Sequence, residues 1–241
     1  MKGIILAGGT GSRLDPLTKV TNKHLLPVGK KPMIYYPIEK LVQANITDIL
    51  IVTGKSHMGD IVSLLGSGHT FNCKFTYKVQ DEAGGIAQAL LLAENFSNNH
   101  PMCVILGDNI FQSPINQMVE SFKSSNKCAH VLLKDVHDPQ RFGVASIDSN
   151  NTITEIVEKP TNPTSNLAVT GIYCYDHSVF NVIKTCKPSA RGELEISDVN
   201  QYYVRQNQMS HSILDGWWSD AGTFESMAVA NQLVKDQPIH E

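Results

Sequence analysis

Cysteine is scarce in this 241-residue chain, and its pattern forms nothing. The five residues Cys73, Cys103, Cys128, Cys174 and Cys186 are widely spaced, odd in number and free of any Cys-x-x-Cys pair. That excludes a disulfide framework and fits a reducing compartment, so a cytoplasmic location is expected. The nine histidines include no His-x-x-x-His or His-Glu-x-x-His, which argues against a His/Cys zinc site. No apolar run approaches the roughly 18–20 residues of a membrane span. The apolar run after Met1-Lys2 is too short for a secretory signal, so three Asn-x-Ser/Thr matches read as chance. Basic residues are not in excess: 20 Lys and Arg stand against 23 Asp and Glu, a net charge of −3. Neither nucleic acid nor a membrane surface is therefore an expected partner. Low-complexity linkers and internal repeats are also missing.

What is present begins at once. Gly3-Ile4-Ile5-Leu6 is a continuous apolar run, the mark of a buried parallel strand. Leu6-Ala7-Gly8-Gly9-Thr10-Gly11-Ser12-Arg13 follows it directly. Its glycines let backbone N–H groups approach an anion closely, and Arg13 adds a planar cation suited to phosphate. A nucleoside triphosphate is the obvious anion; a ligand-free glycine turn is the alternative. The octet lacks the Lys-Ser/Thr of a P-loop, and Leu14 stands where a dinucleotide fingerprint needs its last glycine.

Two further apolar runs, Asp48–Thr53 and Met102–Leu106, alternate with helical patterns. Ile34, Ile38, Leu41 and Val42 share one helix face, as do Ile86, Ala89, Leu90 and Ala93, and Ile115, Met118, Val119 and Phe122. This alternation predicts an α/β fold with a Rossmann-like, doubly wound, mostly parallel sheet. Ligands then bind beyond the carboxyl ends of the strands. The second half is richer in strands, at Val131–Val136, Val144–Ile147, Thr152–Val157 and Thr170–Tyr175, with helices expected from about Glu193 and over Thr223–Val234. One unit over 1–241 is expected, with a β-rich insertion over one end of the sheet.

Several polar residues fall where ligands belong. Asp108 follows the strand Met102–Leu106, and Asp220 precedes the last predicted helix. Either could be only a helix cap. If both meet a triphosphate they need a cation, because like charges about 4 Å apart repel by about 4 kcal/mol; Mg²⁺ held by carboxylates and phosphate oxygens is the usual solution. Lys23 could reach a phosphate or be merely solvated. Glu158-Lys159 ends a strand, and Pro160 biases Lys159 toward extended backbone. The stretch Arg191–Asp198 reads as a flexible, charged helix start. Gln80 offers one donor and one acceptor edge, a match for thymine or uracil, or is an ordinary loop residue.

Leu6–Arg13, Lys23–Pro27, Gly107-Asp108-Asn109, Glu158-Lys159-Pro160, Val169-Thr170-Gly171, Arg191–Asp198 and Trp218–Thr223 occur in the order seen in the sugar-1-phosphate nucleotidyltransferases. The chain resembles short forms of the branch that uses dTTP and glucose 1-phosphate, from residue 1 to about 235. The resemblance implies Mg²⁺-dependent formation of dTDP-glucose and pyrophosphate, the first step toward dTDP-L-rhamnose and related deoxysugars, in a homo-oligomer. It implies that Gly8, Gly9, Thr10, Gly11 and Arg13 hold the triphosphate and that Lys23 stabilises phosphate charge. Gln80 and the Gly85 backbone would read the base. Asp108 and Asp220 would bind the metal. Gly143, Glu158, Lys159, Val169 and Arg191 would position the sugar phosphate. Residues 1–125 would serve mainly the nucleotide and 126–220 mainly the sugar. Trp218-Ser219-Asp220-Ala221-Gly222-Thr223 departs from the usual Trp-Leu-Asp-Thr-Gly-Thr but keeps the aspartate. Many members run several dozen residues further, into an extension that helps form a regulatory site and subunit contacts. Use of UTP, or a non-catalytic nucleotide-sugar sensor, are the alternative readings.

Overall fold

The computed structural model describes residues 1–235; residues 236–241 of the expected unit lie outside them. In chain order the first half forms β1 (Lys2–Ala7), the short β2 (Pro27–Val28) and β3 (Lys31–Pro32), α1 (Tyr35–Gln43), β4 (Asp48–Gly54), α2 (Met58–Leu65), β5 (Lys74–Gln80), α3 (Ile86–Leu91), α4 (Glu94–Ser97), β6 (Met102–Leu106), β7 (Ile110–Phe111) and α5 (Asn116–Ser124). The second half forms β8 (Ala129–Asp135), β9 (Gly143–Ile147), β10 (Ile153–Glu158), β11 (Leu167–Tyr175), α6 (Val179–Thr185), α7 (Ile196–Arg205), β12 (Met209–Ile213), β13 (Trp218–Ser219) and α8 (Phe224–Lys235).

Nine strands make one sheet. Strands β5, β4, β1 and β6 run parallel in that order. Because β1 has neighbours on both edges, it must be apolar on both faces, and its last five residues are buried. Ile4 and Leu6 enter one core layer while Ile5 and Ala7 enter the other, as the two-residue side-chain period requires. The helical faces around Ile38 and Leu41 and around Ala89 and Leu90 pack into opposite layers, which is the doubly wound arrangement.

The second half does not sit over the sheet as a separate layer; most of its strands extend it. β11 joins β6 antiparallel, β8 joins β11 antiparallel, and β12 joins β8 in parallel. Only the β9–β10 pair branches away. The branching comes from β11, which pairs with β9 at Ala168 and Val169 and with β6 at Ile172–Tyr175. Between them, near Thr170-Gly171, its register against β8 also shifts. The main cleft opens at this fork, beside the carboxyl ends of the parallel strands.

Two of the nine strands of this sheet, β5 and β12, escaped the hydrophobic pattern. Both are edge strands, β5 alternating polar and apolar residues and β12 carrying Ser210-His211-Ser212 at its centre, so neither shows a continuous apolar run. Among the described residues no helix is long and apolar enough to cross a membrane.

Candidate active site

The glycine turn lies where β1 ends. Gly8 passes so close to the end of β5 that a Cβ on it would collide with Gln80 Oε1. Gly11 has a different task. Its φ of +71° starts the 3-10 turn Ser12–Leu14, and its carbonyl accepts from Leu14 N at 2.8 Å and Thr18 Oγ1 at 3.0 Å. That turn delivers Arg13 to the cleft wall.

The cleft holds about 370 Å³. The fold brings Gly8, Gly9, Thr10, Arg13, Lys23, Gln80, Gly85, Asp108, Gly143, Glu158, Lys159, Val169 and Asp220 onto its walls. These come from sequence positions up to about 210 residues apart, which only the parallel crossovers and the β11 fork can unite. Gly11 and Arg191 are not on the wall.

Asp108 does not cap a helix: the next element is the short strand β7. Its Oδ2 lies 2.5 Å from Lys23 Nζ, with both side chains nearly buried. Burial alone would raise its pKa, but the Lys23 charge and hydrogen bonds from Lys23 and Asn109 outweigh that and hold it below the usual carboxylate range. His24 is itself buried; burial, aided by the Lys23 charge, lowers its pKa to about 3, so it is neutral near pH 7. Its Nδ1 lies 2.7 Å from Asn22 Oδ1, which fixes the ring.

Asn109 ties three segments together. Its Nδ2 donates to Asp108 Oδ1 at 3.1 Å. Its Oδ1 accepts from Gly171 N at 3.0 Å, at the β11 fork, and from Trp218 Nε1 at 2.7 Å, two residues before Asp220. Asp220 is not a cap either. Thr223 and Ser226 cap α8 reciprocally, Thr223 Oγ1 accepting from Ser226 N at 3.1 Å and Ser226 Oγ accepting from Thr223 N at 3.0 Å. Asp220 is left to face Arg141 Nη2 at 3.3 Å. A side chain built at Gly222 would meet Arg13 Nη2 at 3.1 Å and Asp108 Oδ2 at 3.5 Å, so the Asp220 loop closes on both.

On the antiparallel side, Gly143 pairs with Glu158 across one ladder and with Val169 across the other. Glu158 is held from several directions. Ser197 Oγ donates to its Oε2 at 2.5 Å, and Lys159 Nζ and Arg191 Nη2 each stand 3.4 Å from its Oε1. Arg191 thus backs Glu158 from behind while bonding Glu195 at 2.9 Å. Lys159 corrects the extended backbone that Pro160 suggested: its φ is +41°. A left-handed non-glycine residue costs about 1–3 kcal/mol. It persists here because Lys159 N donates to the Phe142 carbonyl at 2.9 Å, continuing the β9–β10 ladder.

Among the described residues no group of three or more His, Cys, Asp or Glu could hold a metal by itself. Asp108 and Asp220 supply hard oxygen donors on one cleft, and each now faces a cation. That donor set suits a divalent metal completed by phosphate oxygens and water rather than an all-protein cage.

A family model described as nucleotidyl transferase matches residues 2–237. The chain belongs to the nucleotidyl transferase family. It is 44% identical over 238 residues to a glucose-1-phosphate thymidylyltransferase of Neisseria meningitidis, covering 98% of this chain and 83% of that protein. It is 40% identical to the low-salt glycan biosynthesis nucleotidyltransferase of Haloferax volcanii, spanning 97% of this chain and 66% of that relative's length. A crystal structure of a Bacillus anthracis protein assigned as a glucose-1-phosphate thymidylyltransferase, solved in complex with a sucrose, superposes with a TM-score of 0.95 at 59% identity, covering 100% of this chain and 98% of that one. Family members are generally metal-dependent, and nucleoside triphosphates and sugar phosphates are their substrates.

Sequence reasoning passed over Asn109, His24, Ser197 and Arg141. The first two adjoin residues already singled out, and Ser197 lies inside the Arg191–Asp198 segment. Arg141 carried no sequence signal.

Proposed function

We propose that the protein transfers a thymidylyl group from dTTP to α-D-glucose 1-phosphate in the cytoplasm, giving dTDP-glucose and pyrophosphate, with Mg²⁺ as its metal. The observation that carries this reading is the arrangement of the cleft. Gln80, whose amide would read a base, and Glu158, whose carboxylate would accept sugar hydroxyls, line one cleft from strands at opposite ends of the sheet order, β5 and β10, and Arg13, Lys23, Asp108 and Asp220 line it with them. A nucleotide with its base at Gln80 and Gly85 places its phosphates along Gly8, Gly9, Thr10, Arg13 and Lys23. A sugar with its hydroxyls at Glu158, Gly143 and Val169 turns its phosphate toward Lys159. Residues 1–125 then serve mainly the nucleotide and 126–220 mainly the sugar phosphate.

A phosphate oxygen of glucose 1-phosphate attacks the α-phosphorus of dTTP. The bond from that phosphorus to the bridging oxygen breaks, and pyrophosphate leaves with the electron pair. Positioning and charge neutralisation suffice, and no covalent enzyme intermediate is needed. Asp108 and Asp220 would hold Mg²⁺, which neutralises phosphate charge when bound. Lys23, paired with Asp108 in the cleft, would supply a further cation to the phosphates. Arg13 and Lys159, on the same cleft, would add further cations for the phosphates.

The test is pyrophosphate release, with Mg²⁺ present, over a panel of nucleoside triphosphates against hexose 1-phosphates. dTTP with glucose 1-phosphate is expected to be fastest. UTP is expected to be weaker but measurable, because one methyl group is worth roughly 1–3 kcal/mol in a pocket. No release from dTTP and glucose 1-phosphate, or turnover with UTP equal to dTTP, would overturn the assignment.

A further inference from the structure

Gln80 is nearly buried at the end of β5, and Gln88 lies in α3 beside it. The two ends of an amide are told apart only by their hydrogen-bond partners. Here a backbone group decides. Gly84 N, which can only donate, lies 3.0 Å from the Gln88 amide atom that must therefore be Oε1. The same Gln88 Oε1 lies 2.8 Å from the Gln80 amide, so the Gln80 atom facing it is Nε2. The second Nε2 hydrogen of Gln80 meets the Gly85 carbonyl at 3.3 Å. Both donors of Gln80 are thus committed inside the protein. Its Oε1 points the other way, against Gly8 on the cleft wall, and accepts no hydrogen bond among the described residues. The pairing is built in: Gly84 leaves open the space where its own Cβ would collide with the Gln88 amide.

We propose that Gln88 is a positioning residue that locks Gln80 as an acceptor-only reader, so that the site takes pyrimidine nucleotides carrying an N3–H and rejects cytosine. The inference rests on the reading of this cleft as a thymidylyl transfer site. Thymine and uracil present an N3–H donor to Gln80 Oε1. Cytosine presents a lone pair at the same position, and two acceptors facing each other leave both unpaired. A free amide would escape this by turning over and offering Nε2. Gln88 prevents that turn, because the flipped Gln80 would set its Oε1 against Gln88 Oε1 and the Gly85 carbonyl.

The experiment compares kcat/KM for dTTP and dCTP, at saturating glucose 1-phosphate, in the unmodified protein, Gln88→Met and Gln88→Glu. Methionine keeps the length of the side chain but loses the acceptor, and the dTTP:dCTP ratio is expected to fall roughly tenfold, the worth of about one hydrogen bond. Glutamate still accepts from Gln80 Nε2 and Gly84 N, so the ratio is expected to stay near that of the unmodified protein. An unchanged ratio in Gln88→Met, whatever its absolute rate, overturns the proposal. So does a ratio in Gln88→Glu that falls as far as in Gln88→Met. If the unmodified protein releases no pyrophosphate from dTTP, the functional reading fails instead. Calorimetric binding of dTTP against dCTP to the same proteins then tests the locked orientation by itself.

Discussion

Beside β1 and β5 the cleft wall carries a backbone and amide patch, Gly8, Gly9, Thr10, Gly85 and Gln80, next to the ion pair of Lys23 and Asp108. On the antiparallel side it is charge held in place by charge, with Glu158 fixed by Ser197, Lys159 and Arg191. The topologies explain the contrast. A parallel strand must cross over through a helix, and the tight turn into that crossover favours glycines whose N–H groups stay free for a ligand. Antiparallel neighbours bring strand ends side by side, so Gly143 meets Glu158 on one ladder and Val169 on the other, and α7 with the segment before it adds Ser197 and Arg191 to Glu158. On the proposed function, the nucleotide would be selected by close approach to the first wall and the sugar phosphate by the preset ionic partners of the second. Asn109 belongs to both, bonding Asp108 after β6, Gly171 in β11 and Trp218 before Asp220.

The contrast breaks most visibly at Gly8. In Gly8→Ala the new Cβ displaces Gln80 Oε1. Overpacking of this kind costs about 1–3 kcal/mol. The KM for dTTP is expected to rise roughly 5- to 150-fold while that for glucose 1-phosphate stays nearly constant. Steady-state kinetics with each substrate varied in turn checks this, and equal changes in both constants would show that the two walls are not separate. Glu158→Gln is the mirror experiment. It weakens charge-assisted hydrogen bonds at a partly exposed site, so a rise of about tenfold in the KM for glucose 1-phosphate is expected, with dTTP affinity unchanged.

The smallest effect sharpens the comparison from outside the cleft. His130 on β8 is buried, with Ser210 and Ser212 each 2.9 Å from one of its ring nitrogens, so it fastens the edge strand β12. Burial, and then the neighbouring His211, lowers its pKa to about 4. An unfolded histidine titrates near about 6.5. Between these values the unfolded chain binds a proton that the folded chain refuses. Stability therefore falls as pH drops from about 6.5 toward 4, by at most about 1.4 kcal/mol per pH unit, and His130 adds no slope above that window. Chemical denaturation at pH 7, 6 and 5 is expected to show a shallower acid loss in His130→Gln, with dTTP affinity at pH 7 unaltered.

The octet Leu6–Arg13 was legible as a candidate phosphate turn, and the structure puts Gly8, Gly9, Thr10 and Arg13 of it on the cleft wall. Asp108 and Asp220 were legible as strand-end and loop carboxylates, and the order of the matched segments pointed to the family. Arg141 was not legible, since its place opposite Asp220 depends on a loop between β8 and β9 that no local pattern describes. The edge strands β5 and β12 were hidden for the same reason: their polar faces answer to solvent or to one neighbour, not to a core on both sides.

By itself, the sequence determined which segments are buried strands, which helix faces turn inward, and which glycines and charged residues were candidates for a site. These depend on local periodicity and on single side-chain chemistry. Only the tertiary structure decided that Asp108 and Asp220 are cleft groups and not caps, that Lys159 turns left-handed, that Gly11 serves the turn and Arg191 stands behind Glu158, and that the Gln80 amide points oxygen-first into the cleft. Each of these is the outcome of competition for hydrogen-bond partners brought together from distant parts of the chain. Such partners become adjacent only when β11 forks between β6 and β9 and the crossovers close the sheet.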